Sequence, residues 1–228
     1  VRNISFPDVQ SKIQNPKSKI GRGFLITLEG PEGGGKTTQT RLLGDRLQDE
    51  GYEVVLTREP GGTLLGEAIR TILLKGTPGA ISPRAESLLY LAVRAQHAAE
   101  VLFPGLQAGK VVICDRFTDS TLAYQGYARH LDIEALIAMN AFATDHLEPD
   151  LTLLLDVDPE KGLQRQNEHN GMEAEGLEFH RRVREGFLLL ARRWPERIRV
   201  VDASQPLEIV RQAIWNIVRD WMGERESR

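Results

Sequence analysis

From Phe24 onward the chain alternates short, near-continuous apolar runs with longer segments in which apolar residues recur every three or four positions. The runs are FLITLEG (24–30), EVVLTRE (53–59), KVVICDR (110–116), LTLLLDVD (151–158) and IRVVDAS (198–204). Their dense Val, Ile and Leu content predicts strands buried on both faces, as in a parallel sheet. Between them lie helical patterns. KTTQTRLLGDRLQDEG sets Leu42, Leu43 and Leu47 on one face and ends at Gly51, a common helix stop. GEAIRTILLKG ends similarly at Gly76, DIEALIAMNAFATDHLEP stops before Pro149, and PLEIVRQAIWNIVRDWMG closes the series. PRAESLLYLAVRAQHAAEVLFPGLQAG is long, with a break expected at Pro104, where the ring removes a backbone donor. Strand and helix in strict turn predict a doubly wound α/β fold with a five-stranded sheet.

Two segments fall outside this order. Residues 1–20, VRNISFPDVQSKIQNPKSKI, are polar with two prolines and no sustained period. They read as an extension outside the core, preceding a single domain over 21–228. The polar stretch RQNEHNGMEAEG (165–176) carries two glycines after the fourth strand and reads as a surface loop or a mobile lid. There is no internal repeat.

With 228 residues, 41% apolar and 27% charged, the chain suits one well-buried core. A net charge of −3 gives no general grip on nucleic acid, so an anionic ligand needs a local basic site. The single cysteine, Cys114, cannot form an internal disulfide and reads as a buried thiol in a reducing compartment. No stretch approaches the ~20 apolar residues of a membrane span, and the N-terminus lacks an apolar signal core. A cytoplasmic protein without nucleic-acid or membrane partners is expected.

The chemistry starts at Gly30-Pro31-Glu32-Gly33-Gly34-Gly35-Lys36-Thr37, followed by Thr38, which fits G-x-x-x-x-G-K-[ST] between a strand and a helix. Phosphate oxygens are held by successive backbone N–H groups at a helix N-terminus, where side chains would obstruct them. Lys36 adds a charge for the β- and γ-phosphates, and the Thr37 hydroxyl suits Mg²⁺. A nucleoside triphosphate, ATP, is the expected ligand.

Further clusters fall at strand ends, where open α/β sheets place their ligands. TREPGGT puts Arg58 and Glu59 before a Pro-Gly-Gly turn, with Arg70 on the following helix; a local salt bridge is the plain alternative for the first two. CDRFTDSTLAYQG offers Asp115 for Mg²⁺, directly or through water, and Arg116 for a phosphate. Ser120, Thr121, Tyr124 and Gln125 follow about one helical turn apart and can line one wall; Thr118 or Asp119 is the expected N-cap. Tyr90 and Arg94 sit i, i+4 on the long helix and suit a flat base, against the plainer reading of a core tyrosine and a solvated arginine.

The ordered set EGPEGGGKTT, TREPGGT, LLYLAVRAQH, CDRFTDSTLAYQGYAR, PDLTLLLDVDPEKGLQR and DASQPLE closely resembles bacterial thymidylate kinases, from about Phe24 to the C-terminus. The resemblance implies a three-layer P-loop nucleoside-monophosphate kinase with a short lid, usually homodimeric, moving the γ-phosphate of MgATP to dTMP. By that resemblance Glu32 contacts the sugar 3′-OH, Arg70 and Arg116 hold the acceptor phosphate, and Glu59 and Asp115 serve the magnesium and its waters. Arg58 orients Glu59. Tyr90 stacks on thymine, Arg94 and Gln125 read its polar edge, and Ser120 and Thr121 lie close to it. Tyr124 crowds the 2′ position, and DASQPLE borders adenine. Members whose phosphate loop lacks arginine, as here, carry several lid arginines. This chain has none between Arg165 and Arg181, so Arg165 is the candidate clamp, its alternative being a solvated helix residue.

Overall fold

The apolar runs form the strands β1 (Phe24–Glu29), β2 (Val54–Arg58), β3 (Val111–Asp115), β4 (Leu151–Asp156) and β5 (Ile198–Asp202). They are seen in a computed structural model that describes residues 23–75, 80–165 and 175–226. The N-terminal segment 1–20 and residues 166–174 of the expected lid lie outside the described residues. All pairings are parallel, in the order β2-β3-β1-β4-β5.

The inner strands β1, β3 and β4 are buried on both faces, as a strand's side-chain alternation between two covered faces requires. The edge strands β2 and β5, expected to be buried likewise, are not, and Leu56 and Val200 are exposed because each has a neighbour on one side only. Phe24, Ile26 and Leu28 join Val111, Ile113, Leu151, Leu153 and Leu155 in one core. That core is covered by α1 (Lys36–Asp49) and α9 (Leu207–Glu226). On the opposite face, Leu25, Val112 and Cys114 meet the far end of the long helix around Leu102. Leu154 packs with Phe179, Val183 and Phe187 of α8 (Leu177–Arg193). The three layers match the doubly wound reading.

The remaining helices are α2 (Leu64–Lys75), α3 (Pro83–His97), α4 (Phe103–Gln107), α5 (Thr118–Thr121), α6 (Ile133–Ala143) and α7 (Pro159–Gln164). Ser82 caps α3 by accepting from the Ala85 amide, with Pro83 in its first turn, as an N-terminus favours. The expected break at Pro104 does not occur. A π-helical segment, Ala98–Leu102, runs from α3 into α4 without interruption. The wider turn ahead of Pro104 absorbs the mismatch its ring creates.

The expected cap of α5 also differs. Phe117 holds the cap position without a side-chain bond, and Glu29 reaches across from β1. Its Oε1 accepts from the amides of Phe117 (2.7 Å) and Ser120 (3.2 Å), and its Oε2 from the Ser120 hydroxyl (2.6 Å). Asp119 instead turns inward to Arg197 and Thr152.

Candidate active site

The loop between β1 and α1 is shaped by backbone alone. Gly33 and Gly35 adopt φ of 70° and 79°, and a Cβ on Gly33 would lie 2.0 Å from the carbonyl oxygen of Gly162 in α7. Only glycine meets both demands. Gly35 caps α1 without a side-chain acceptor, which leaves the helix's first amides for an anion. Lys36 folds back over the loop, donating to the carbonyls of Gly30 (3.1 Å) and Pro31 (2.7 Å). Burial, reinforced by the Arg116 charge, pushes its ammonium down to about 8 against the pull of Glu32, Asp115 and Glu29. Thr37, in the first turn of α1, donates its hydroxyl to Asp115 Oδ2 at 2.5 Å, joining the loop to the end of β3.

Arg116 follows β3 with φ of 70°, a conformation that costs a non-glycine residue energy and needs support. Its amide donates to the Leu28 carbonyl (2.9 Å), and Glu29 clamps the next turn as described. Its guanidinium donates to Glu32 Oε1 (2.7 Å), the Gly30 carbonyl (3.2 Å) and Ser120 Oγ (3.2 Å), and lies over the Tyr124 ring. The Tyr124 hydroxyl donates to the same Glu32 oxygen at 2.7 Å. Burial favours a protonated Glu32, but Arg116, Lys36 and the tyrosine override it and hold the carboxyl down at about 2. Glu29 goes the other way: burial first, then repulsion from Asp119, raises it to about 7 despite Ser120 and Arg116.

These groups open on a cavity of about 540 Å³, within the range of small-molecule sites. It is lined by Glu32, Gly33, Gly35, Lys36, Thr37 and Thr38 on the loop side. Arg58, Glu59, Arg70, Tyr90, Asp115, Arg116, Ser120, Thr121, Tyr124, Gln125 and Arg165 form the other walls together with Pro60 and Leu74. Gly30, Pro31, Gly34 and Arg94 do not line it. Burial pushes the Tyr90 phenol up to about 12, so its ring presents a neutral face. Arg70 donates to the Pro60 carbonyl at 2.7 Å. Arg165 donates to the carbonyls of Gly33 (3.2 Å) and Ala203 (3.0 Å), bridging the glycine-rich loop to the segment after β5.

Two placements depart from what the motifs imply. Arg94 is 1% exposed and lies behind the cavity wall, donating to Glu59, Thr121, Asn140 and the Phe117 carbonyl. Arg58 does not orient Glu59; its guanidinium pairs with Glu67 at the surface (2.9 Å). Glu59 is held by Arg94 at 2.7 Å and by His97 Nδ1 at 2.9 Å, and the other His97 nitrogen meets Thr57. His97, Glu29 and Asp119 lie within the quoted motif stretches and Arg197 outside them, but the sequence assigns none of the four these contacts. Their one signal is polarity inside apolar patterns, since a buried polar group must find a partner.

The chain has relatives of known family over most of its length. The family model for thymidylate kinase matches residues 28–214. A thymidylate kinase of Synechococcus sp. (strain JA-3-3Ab) is 56% identical over 197 residues, 86% of this chain and 95% of the relative. One from Desulfovibrio desulfuricans is 53% identical, covering 82% of this chain and 91% of the relative. The crystal structure of thymidylate kinase from Ehrlichia chaffeensis superposes with a TM-score of 0.73 at 36% identity, over 86% of this chain and 98% of the other. A match this long, with relatives covered nearly end to end, places the chain in the thymidylate kinase family.

Proposed function

We propose that this chain transfers the γ-phosphate of MgATP to dTMP, forming ADP and dTDP for dTTP synthesis. The observation that carries this reading is one cavity in which the phosphate loop faces the Asp115–Arg116 corner and Tyr90. A triphosphate on the loop and a pyrimidine monophosphate against Tyr90 bring their phosphates together between Lys36 and Arg116. Side-by-side ADP-release assays with dTMP, dUMP, dGMP, dCMP and thymidine test it. dTMP is expected to give the highest kcat/KM, whereas turnover indifferent to dTMP but raised by a protein partner would mark a nucleotide switch.

An oxygen of the dTMP phosphate attacks the γ-phosphorus as the bond to the β–γ bridging oxygen breaks and ADP departs. The attacking phosphate is already ionised, so positioning and charge neutralisation dominate. Lys36 and the loop amides hold the β- and γ-oxygens. Arg116 and Arg70 hold the acceptor phosphate. Glu32 receives the sugar 3′-OH, and Tyr124 stands against a 2′ substituent. The segment 202–208 borders adenine, with Arg165 between it and the transferring group. Thr37 and Asp115 are hard oxygen donors suited to Mg²⁺, which keeps most of its shell as water and phosphate; when bound it neutralises charge on the triphosphate.

The kinase unit spans 21–228, with residues 165–176 as its lid, and acts in the cytoplasm as a homodimer. Apolar Leu64, Leu88 and Phe142, exposed on the neighbouring helices α2, α3 and α6, supply surface for dimerisation. No described helix is long and apolar enough to cross a membrane.

Arg165→Ala is expected to lower kcat about 10²-fold, the scale for one lost transition-state donor, with little change in KM for dTMP. An unchanged kcat would return Arg165 to a surface role. The lowered Lys36 value also has a sign. Its charged form is present below about 8 and lost above it, so kcat/KM for ATP, which reports the free enzyme, is expected to fall as pH rises through that value. In the complex the triphosphate restores the charge, and kcat holds to higher pH. A kcat/KM that stays flat across the same range would contradict the assignment.

A further inference from the structure

Gln125 sits in the π-helical segment Leu122–Ala128 and lines the cavity on the Tyr90 side. Behind it lies Glu86, in the first turn of α3, 8% exposed and not part of the cavity wall. Gln125 Nε2 donates to Glu86 Oε1 at 3.0 Å, and Glu86 Oε2 is ion-paired with Arg129 at 3.2 Å. Arg129 is itself braced by Glu175 at 2.7 Å and by the Phe179 ring.

A carboxylate offers acceptors only, so the amide end of Gln125 that faces it must be the nitrogen. The amide oxygen then points the other way. Among the described residues it has no protein partner, and it is not one of the buried, unpaired atoms. It faces the cavity as an acceptor. One turn earlier, Thr121 Oγ1 accepts from Arg94 Nη1 at 2.7 Å. Arginine only donates, so the threonine proton is directed elsewhere, and Thr121 is set as a donor into the same cavity. The wall thus carries an acceptor and a donor side by side, each fixed by an ion pair behind it, that of Arg94 and Glu59 buried and that of Arg129 and Glu86 partly so.

Thymine presents an N3–H donor beside the O4 acceptor. Cytosine presents the reverse, a bare N3 beside an amino donor. We propose that Glu86 is a specificity-determining positioning residue: by locking the Gln125 amide it commits the wall to an N3–H pyrimidine and against a cytosine edge. This rests on the dTMP reading of the cavity and deepens it. Glu86 does not touch the base; it acts through Gln125. A site whose polar groups would be left unpaired rejects the wrong partner far more strongly than shape alone does.

The test compares dTMP with 5-methyl-dCMP, which keeps the methyl group and reverses only the polar edge. Wild-type protein is expected to favour dTMP by about 10³-fold or more in kcat/KM, as hydrogen-bonded sites do. In Glu86→Gln the neighbouring amide can donate as well as accept, which frees Gln125 to turn over. The dTMP preference is expected to narrow at least about 10-fold, through a higher KM for dTMP and a rate on 5-methyl-dCMP that rises. Glu86→Met, which removes the acceptor altogether, carries the same expectation and stands in if Glu86→Gln folds poorly, as judged by Tm. A purely structural Glu86 would lower both substrates together and leave their ratio in place, and that result overturns the proposal. So does wild-type protein that accepts both nucleotides equally. Wild-type protein that phosphorylates neither would instead sink the dTMP reading, and this inference with it.

Discussion

Lys36→Ala is expected to lower kcat about 10³-fold, at the upper end for one preorganised transition-state donor, while the fold survives. In the free protein its ammonium donates to the loop carbonyls of Gly30 and Pro31 and helps hold the Glu32 carboxyl low. Removing it forfeits those interactions but relieves the burial that holds its ammonium down near 8. The two effects oppose each other, so stability should change little, and matched stability would show that lost turnover is not unfolding. The effect should appear in kcat as well as KM, because charge moves onto the bridging oxygen only as the bond breaks. Matched Tm values with single-turnover rates would check this. A variant that turns over near the wild-type rate would remove Lys36 from the chemistry.

Arg116→Ala is expected to lower kcat/KM for dTMP about 10³-fold, as for loss of a charged donor aimed at the reacting phosphate. KM for ATP should move much less. The variant also leaves Glu32 without its closest cation, in a site where Arg116, Lys36 and the Tyr124 hydroxyl together keep that carboxyl near 2 against burial. Breaking a buried pair costs about 3 kcal/mol, so a lower Tm should accompany the kinetic loss. Arg116→Lys separates the two effects: it keeps the charge near Glu32 but loses the fork that reaches Gly30, Ser120 and Glu32 together. Its stability should recover more than its dTMP kinetics. A defect confined to ATP affinity would put Arg116 on the wrong side of the reaction.

What the sequence revealed follows from how local each signal is. The inner strands were legible because burial on both faces needs apolar residues at nearly every position. The edge strands β2 and β5 carry the same β-rich composition although they are only partly buried, and the observed ends of all five lie within two residues of the runs. The shape of the glycine-rich loop was legible because Gly33 answers a backbone requirement that glycine alone meets. Most of the motif side chains do line one cavity. The supports behind them were not legible. Glu29 clamps a turn 88 residues away, His97 and Arg94 of α3 fix Glu59 in the bend after β2, and Glu86 sets Gln125 across 39 residues. Such contacts leave no periodicity in either partner. A hint was present in the polar residues within or closing apolar patterns, such as Glu29 after FLITL, but it names only one end of each bond. Pro104 misled for a related reason: a proline forbids a regular α-helical turn, and whether the chain stops or widens into a π-turn depends on what the helix packs against.

In the proposed reaction phosphate passes straight from one nucleotide to the other within a single cavity. Incubating the protein with γ-radiolabelled ATP, magnesium and dTMP, then separating the products, follows that transfer. Label should accumulate in dTDP one-for-one with ADP and should require dTMP. Label released as inorganic phosphate, with dTMP left unmodified, would contradict it.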